Sequence, residues 1–390
     1  MAEINSDEMA RAEKILDVVR EEWLDRPGVI AVDLGYKWIA GQMTPELSIR
    51  VHVESKKHRS FIPKYELFPD RLGGIVVDVI EANYLPQVYY SSKLEAAVDG
   101  RDDRYQVVPL GVSIGSRFST AGTLGAKVID RKTGDEMILS NWHVLAGRPG
   151  ARAGTPIWQP GWIDGGTNED NTIAELTRWV LGPYDAAVAK ITGKRKVTSK
   201  TTEGRSILDV TEPKLGMRVW KSGRSTGYTE GVIDGIKMQV SLPYGDLGVK
   251  KLESVMHIVP RPGSGDIEIS QGGDSGAVWV DQESGKAVGL HFAGESANLP
   301  EHALACEIIL VTDALNVRFP NQSVRKVAQR TVTRTPVVWR PKTTPPVATP
   351  TTNQPTLTMP NITLPTINLN IDSQQIVDIL TAFLKRLIPS

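Results

Sequence analysis

Gln271-Gly272-Gly273-Asp274-Ser275-Gly276-Ala277 is the stretch of this chain best suited to chemistry, with a serine set among glycines and an apolar run, Ala277 to Val280, behind it. A nucleophilic serine needs a tight loop that exposes its hydroxyl and aims neighbouring N–H groups at a developing oxyanion. Glycine permits such a loop because it lacks the Cβ that blocks positive φ. Alone, the stretch reads equally well as a plain hairpin turn, so a histidine and an aspartate must be found to serve the serine. The chain has six histidines. His143, in Ser140-Asn141-Trp142-His143-Val144-Leu145-Ala146-Gly147, follows a strand-like run, Glu136 to Leu139, where the strand gives way to a turn. Asp185 follows the chain break Gly182-Pro183 and opens the small apolar strand Ala186 to Ile191. Asp164 and Asp170 are rival carboxylates, but they lie in a glycine- and asparagine-rich loop with no strand to fix them. Singly, His143 could be a structural histidine and Asp185 a turn residue; with the serine loop they point to acyl transfer.

The order is His, Asp, Ser, and the separations are 42 and 90 residues; the chymotrypsin triad has the same order, with separations of about 45 and 93. Ser-Asn-Trp-His-Val-Leu, Tyr-Asp-Ala-Ala-Val-Ala and Gly-Gly-Asp-Ser-Gly-Ala resemble the three catalytic blocks of chymotrypsin-fold serine peptidases, over about residues 110 to 318. Further stretches are similar to a bacterial trypsin-like subgroup related to the plant narrow-leaf type: Gly111-Val112-Ser113-Ile114-Gly115, Thr120 to Gly125, Trp158-Gln159-Pro160-Gly161, Asp164-Gly165-Gly166-Thr167 and Lys221 to Gly227. Ala277 departs from the glycine of digestive enzymes, a small change. The resemblance implies Ser275 as nucleophile, His143 as general base and acid, Asp185 as the group that orients the imidazole, and the N–H groups of Gly273 and Ser275 as the oxyanion hole. Asp274 is not the triad acid. In the family's zymogens its equivalent pairs with a freed N-terminal amine, and no Arg-Ile-Val-Gly-Gly activation site is present. No cofactor or metal is expected.

Gly289-Leu290-His291-Phe292-Ala293-Gly294 resembles the strand lining the first substrate pocket of glutamyl endopeptidases and viral 3C-like proteases, whose histidine contacts a Glu or Gln side chain. Ser270 matches a pocket serine of some glutamate-specific enzymes. The resemblance therefore implies Ser270, His291, Phe292 and Gly294 as substrate-binding residues and cleavage after Glu or Gln. Ile269 stands where trypsin-like enzymes carry an acid, and a Lys/Arg preference would need a buried carboxylate to meet the cation. The plainer alternative has His291 packed structurally beside a pocket for a modest apolar side chain.

Lys+Arg and Asp+Glu number 45 each, so net charge gives no reason to expect nucleic acid or an anionic membrane as partner. Lys194-Arg195-Lys196 reads as a solvated loop. Cys306, the single cysteine, can form no intrachain disulfide and reads as a buried apolar residue. Residues 6–24 form a charged amphipathic helix with Ile15, Leu16, Val19 and Trp23 on one side, not an unbroken apolar signal segment. A cytoplasmic setting follows as the expectation. The partner is a protein or peptide substrate. The competing functions are a catalytically silent trypsin-like scaffold and an esterase or self-processing protein.

The predicted fold is mostly β: two antiparallel barrels of chymotrypsin type, an N-terminal α+β module, and a C-terminal linker plus helix. The segments are an N-terminal helix (1–27), an α+β leader (28–108), the peptidase domain (109–318), a Pro/Thr-rich linker (319–370) and an amphipathic helix (371–390). Barrel one, about 110–192, would carry His143 and Asp185; barrel two, about 213–311, would carry Ser275. Residues 193–208 read as an exposed linker. The leader has three β-branched runs, at 29–36, 47–53 and 75–80, and no catalytic constellation, so it reads as a scaffold packed on the barrel. Residues 335–366 hold eight prolines and ten threonines, which favour extended, solvated chain. Asp372 to Leu387 reads as a capped helix with the stripe Ile376, Leu380, Phe383, Leu384 and Leu387, suited to self-association or partner docking.

Overall fold

The computed structural model describes residues 4–64, 66–86, 96–167, 169–263, 268–295 and 301–323. The Pro/Thr-rich stretch and the predicted helix at 372–387 lie outside the described residues. The leader holds β1 (Val29–Ile39), β2 (Gln42–Val53), β3 (Arg71–Leu72), β4 (Ile75–Glu81) and β5 (Tyr84–Pro86) behind helix α1 (Ser6–Leu24). Then come β6 (Val107–Leu110), β7 (Ser113–Ile114), β8 (Gly122–Thr123), β9 (Ala126–Asp130) and β10 (Glu136–Ser140). The one-turn helix α2 (Trp142–Leu145) precedes β11 (Pro156–Trp158), β12 (Thr172–Leu181), β13 (Asp185–Ile191) and β14 (Lys196–Thr201). The last group is β15 (Arg218–Gly223), β16 (Gly227–Pro243), β17 (Val249–Pro260), β18 (Val278–Asp281), β19 (Ala287–Glu295), β20 (Ala303–Glu307), helix α3 (Ile308–Ala314) and β21 (Val317–Arg318).

The fold is mostly β, with two antiparallel barrels. The first is built on six strands in the order β11-β12-β13-β10-β9-β21. The second runs β15-β18-β19-β20-β17-β16 and closes on itself through the β16–β15 pairing. Their interiors are apolar, with Val128, Ile138, Leu139, Ala187 and Val188 in the first and Val280, Leu290, Phe292, Leu304 and Cys306 in the second, all fully buried. Cys306 is thus the buried small residue expected. Strand β16 is 17 residues long and breaks register three times, so that its first part pairs with β15 and its second with β1. Such bulges bend a strand and let it serve two partners.

The leader is therefore not a separate sheet. Through β1 on β16, the strands β2, β4 and β3 continue the sheet of barrel two. Helix α1 covers it with Ala12, Leu16, Val19 and Trp23, residues three to four apart and hence on one face. Its first turn is capped by Asn5, whose side chain accepts from the Asp7 N–H at 2.8 Å. Where β1, β2 and β16 meet, Arg50 is fully buried between two carboxylates: its Nε donates to Asp33 at 2.8 Å and its Nη1 to Asp234 at 2.7 Å. Room for the guanidinium comes from Gly235, where a Cβ would sit 1.7 Å from Arg50 Nη2.

The stretch expected as an exposed linker departs from that expectation. Lys196–Thr201 is strand β14, paired parallel to β6. Arg195 is buried, with its Nη atoms donating to the backbone carbonyls of Tyr105, Gln159 and Asn171 and to Gln159 Oε1. Polarity misled here because the guanidinium satisfies carbonyls that strands leave free. No helix among the described residues is long and apolar enough to cross a membrane.

Candidate active site

His143 and Asp185 meet because β10 and β13 are neighbours. Ser140 pairs with Ala187, so the turn following β10 brings His143 beside the first residue of β13. The His143 Nδ1–H donates to Asp185 Oδ2 at 2.5 Å, and the His143 backbone N–H donates to Oδ1 at 3.2 Å. Asn141 Nδ2 donates to the Asp185 carbonyl at 2.7 Å, which ties the two segments again. From the other barrel, Tyr244 Oη donates to Asp185 Oδ2 at 2.8 Å. Burial, and then Asp185 itself, push the Tyr244 phenol well above its ordinary range, so it stays protonated and remains a donor. Asp185 is fully buried and accepts from three groups, a geometry that fixes the imidazole tautomer with Nδ1 protonated and Nε2 as acceptor.

Ser275 comes from the loop before β18. The Gly276 N–H donates to the His291 carbonyl and the His291 N–H to the Ala277 carbonyl, both at 2.9 Å, so the loop's end is zipped onto β19. Thr123 reaches across from the first barrel: its N–H donates to the Ser275 carbonyl at 2.8 Å and its Oγ1 to the Gly273 carbonyl at 2.8 Å. Glycine is required at two points. Gly273 has φ +105°, and a Cβ there would lie 2.4 Å from Ser225 Oγ; Gly276 has φ +95°, and its Cβ would lie 2.1 Å from Ser140 Oγ. The backbone N–H groups of Gly273 and Ser275 donate to no acceptor among the described residues, whereas those of Asp274, Gly276 and Ala277 are all satisfied. Two unpaired donors on one turn form a ready anion site.

The serine hydroxyl donates to the Phe292 carbonyl at 3.4 Å rather than to His143, whose Nε2 has no hydrogen-bond partner among the described residues. The two are near neighbours all the same: a Cβ on Gly122 would lie 2.4 Å from Val144 Cγ2, on the His143 helix, and 2.9 Å from the Ser275 carbonyl oxygen. Catalytic hydrogen bonds often tighten only when substrate binds.

Asp274 is buried away from His143. Its carboxylate accepts from Lys221 Nζ at 3.1 Å, Thr226 Oγ1 at 2.6 Å and the N–H groups of Ser225, Thr226 and Gln271. Burial alone would raise this carboxyl, but Lys221 and the hydrogen bonds hold it below the ordinary value of 3.8. An internal lysine thus supplies the cation that organises the loop. The rival Asp164 is engaged elsewhere, bidentate with Arg224 at 2.8 and 2.6 Å and accepting from Ser113 Oγ at 2.5 Å. Asp170 offers its backbone carbonyl to Arg104.

Of the substrate-binding candidates, Phe292 is fully buried and carries the carbonyl next to Ser275. Gly294 pairs with Leu85 on one edge and Ala303 on the other. His291 is also fully buried. Trp279 Nε1 donates to its Nδ1 at 3.4 Å, and burial, with Lys221 nearby, lowers the imidazole to about 3 and keeps it neutral. Ser270 meets an acid that the sequence did not single out. Glu301 Oε1 accepts from the Ile269 and Ser270 N–H groups at 3.2 and 3.1 Å and from Ser270 Oγ at 3.3 Å. Burial pushes the Glu301 carboxyl up to about 7, against those hydrogen bonds. Tyr244 and Lys221 were missed as well. Tyr244 sits in a turn with no local pattern, and Lys221 lies in the mixed strand Arg-Val-Trp-Lys-Ser-Gly, where only burial reveals its carboxylate partner.

No family model matches the sequence, and no curated protein does. Among solved structures, the chain is similar to Thermobifida fusca protease A, with 14% identity, a TM-score of 0.40, and coverage of 55% of this chain and 98% of that one. A Nocardiopsis protease gives 17% identity and 0.40, covering 54% and 98%. A glutamic acid specific serine protease, described as using a histidine triad in substrate binding, gives 17% and 0.42, covering 54% and 100%.

Proposed function

We propose that this protein is a serine endopeptidase working through an acyl-enzyme. Ser275 attacks the scissile carbonyl, and His143 Nε2 takes its proton and returns it to the leaving amine. Asp185 holds the tautomer and stabilises the imidazolium, while the N–H groups of Gly273 and Ser275 receive the oxyanion. What carries this proposal is the buried His143–Asp185 pair, with Nε2 without a partner among the described residues, and a serine loop with two N–H groups likewise unpaired among them. A silent scaffold has no physical need of either feature. Ser275→Ala is expected to lower peptide cleavage by at least about 10⁴-fold with an unchanged melting profile; equal cleavage by the variant would remove the assignment.

For specificity, cleavage after Gln or Glu is the reading supported by Ser270 and neutral His291. Glu301 favours a second, cleavage after a cationic residue, because its carboxylate is the half-buried partner a Lys or Arg would need. The two separate by pH. With Glu301 ionised above about 7, a Glu side chain is repelled; below it, a protonated Glu301 donates a hydrogen bond to Glu or Gln. The Glu-to-Gln ratio of kcat/KM is expected to fall about tenfold from pH 5.5 to pH 8.5, and Glu301→Gln to flatten it. A Lys/Arg preference in a peptide library would establish the second reading instead.

The bacterial trypsin-like, narrow-leaf-related subgroup is likewise proposed, supported by two of its motifs pairing directly, Asp164 with Arg224. A reducing, intracellular setting is consistent with the single buried thiol of Cys306. Self-association through 372–387 completes the proposal.

A further inference from the structure

One edge of β19 has three successive occupants. Ala287 to Leu290 pair with β18, and His291 exchanges hydrogen bonds with Gly276 and Ala277 of the serine loop. Phe292 follows, whose carbonyl accepts the Ser275 hydroxyl. Beyond it, Ala293, Gly294 and Glu295 pair antiparallel with Pro86, Leu85 and Tyr84 of the leader strand β5. The opposite edge of β19 belongs to β20, so β5 and the serine loop lie in line on the same edge.

The chain direction is the telling part. β5 advances from Glu295 at Tyr84 to Ala293 at Pro86, toward Phe292 and Ser275. A peptide presenting its carbonyl to Ser275 needs backbone partners for the residues preceding that carbonyl, and the positions next in line with the serine on this edge are those of Ala293–Glu295. Strand addition to such an edge is a general mode of peptide binding. The leader therefore holds the place, in the direction, that the acyl side of an extended substrate would take.

It is held firmly. Tyr84 is buried and its Oη lies 2.8 Å from His52 Nδ1, while His52 Nε2 lies 3.2 Å from Asp33, the carboxylate that pairs with Arg50. Only Leu85 of the three turns outward, 44% exposed. Past the segment outside description, the Val98 N–H donates to the carbonyl of Arg224, whose own side chain packs on Gly273. The leader is thus anchored at two points, on β19 and on Arg224.

We propose that β5 is a built-in occupant of the peptide-binding edge, making the chain latent toward extended substrates until the leader strand is withdrawn. This rests on Ser275 being the nucleophile proposed above. The test uses the full chain, a small fluorophosphonate that needs only Ser275, and two fluorogenic substrates sharing one cleaved residue, the second carrying three more residues on its acyl side. In the native chain the longer substrate should gain no more than about twofold in kcat/KM. In Tyr84→Ala, which removes the tether, it should gain tenfold or more, with Tyr84→Phe in between and fluorophosphonate labelling rates unchanged. Should Tyr84→Ala not fold, hydrogen exchange on the native chain decides. A peptidyl phosphonate with four acyl-side residues should speed exchange at the Tyr84 and Leu85 amides, and a one-residue phosphonate should not. Labelling with no gain in Tyr84→Ala, or no change in exchange, overturns the latent-edge proposal and leaves the peptidase standing. Absence of labelling removes the peptidase itself.

Discussion

Two contacts at the candidate site act through other residues. Tyr244 donates to the carboxylate that orients His143. Hydrogen bonds to charged groups contribute about 1.5–3 kcal/mol, so Tyr244→Phe is expected to lower kcat about tenfold with KM unchanged, measured by steady-state kinetics. Lys221 is the only cation in contact with the buried Asp274 carboxylate among the described residues. Leaving that charge unpaired costs about 3–5 kcal/mol. Lys221→Met should therefore melt earlier and label Ser275 slowly, whereas Asp274→Asn with Lys221→Met should recover part of the stability. The pH sign follows from the lowered carboxyl: Asp274 stabilises fully above its ordinary value of 3.8, and that contribution is lost only as pH falls through its lower folded value. Melting temperature should fall below that point, read calorimetrically over a pH series. The proposed triad residues stood out as candidates in the sequence because glycines, a histidine after a strand and an aspartate before one are local signals. Tyr244 and Glu301 were not legible, since each acquires its role only when the chain brings it to a distant partner, Asp185 or Ser270.

At the scale of elements, a few strands of both barrels were visible as short strand-like runs, such as 136–139 and 186–191, but their closure was not. The leader illustrates why. Its strands read as a module of their own, yet β1 pairs with β16, and the joint is sealed by a buried guanidinium between Asp33 and Asp234. Pairing across about 200 residues leaves no periodic trace, and a lone buried arginine in a strand is a clue only after its carboxylates are known. Arg50→Met strands two carboxylates inside the sheet and is expected to destabilise by about 3–5 kcal/mol, read as a lower denaturant midpoint with the same slope. Arg195 makes the same point from the other side: a basic run that looked solvated instead satisfies four oxygen atoms.

For the whole molecule, the described residues join the leader and both barrels in one compact unit, Met1–Lys326, and every proposed catalytic group lies inside it. A chain truncated after Ser323 should keep its melting temperature and its labelling rate, because the Asn321 N–H still donates to the Leu208 carbonyl and the Phe319 N–H to Gln322 Oε1. If 372–387 mediates self-association, the truncated chain should also show a smaller mass in solution, measured by light scattering. The most direct test of the account as a whole is fluorophosphonate labelling of the full chain, followed by peptide mapping. Covalent modification at Ser275, lost in His143→Ala and unaffected by Ser270→Ala, is the predicted result. An unlabelled Ser275 in a folded protein, or labelling that persists in His143→Ala at the native rate, would contradict it.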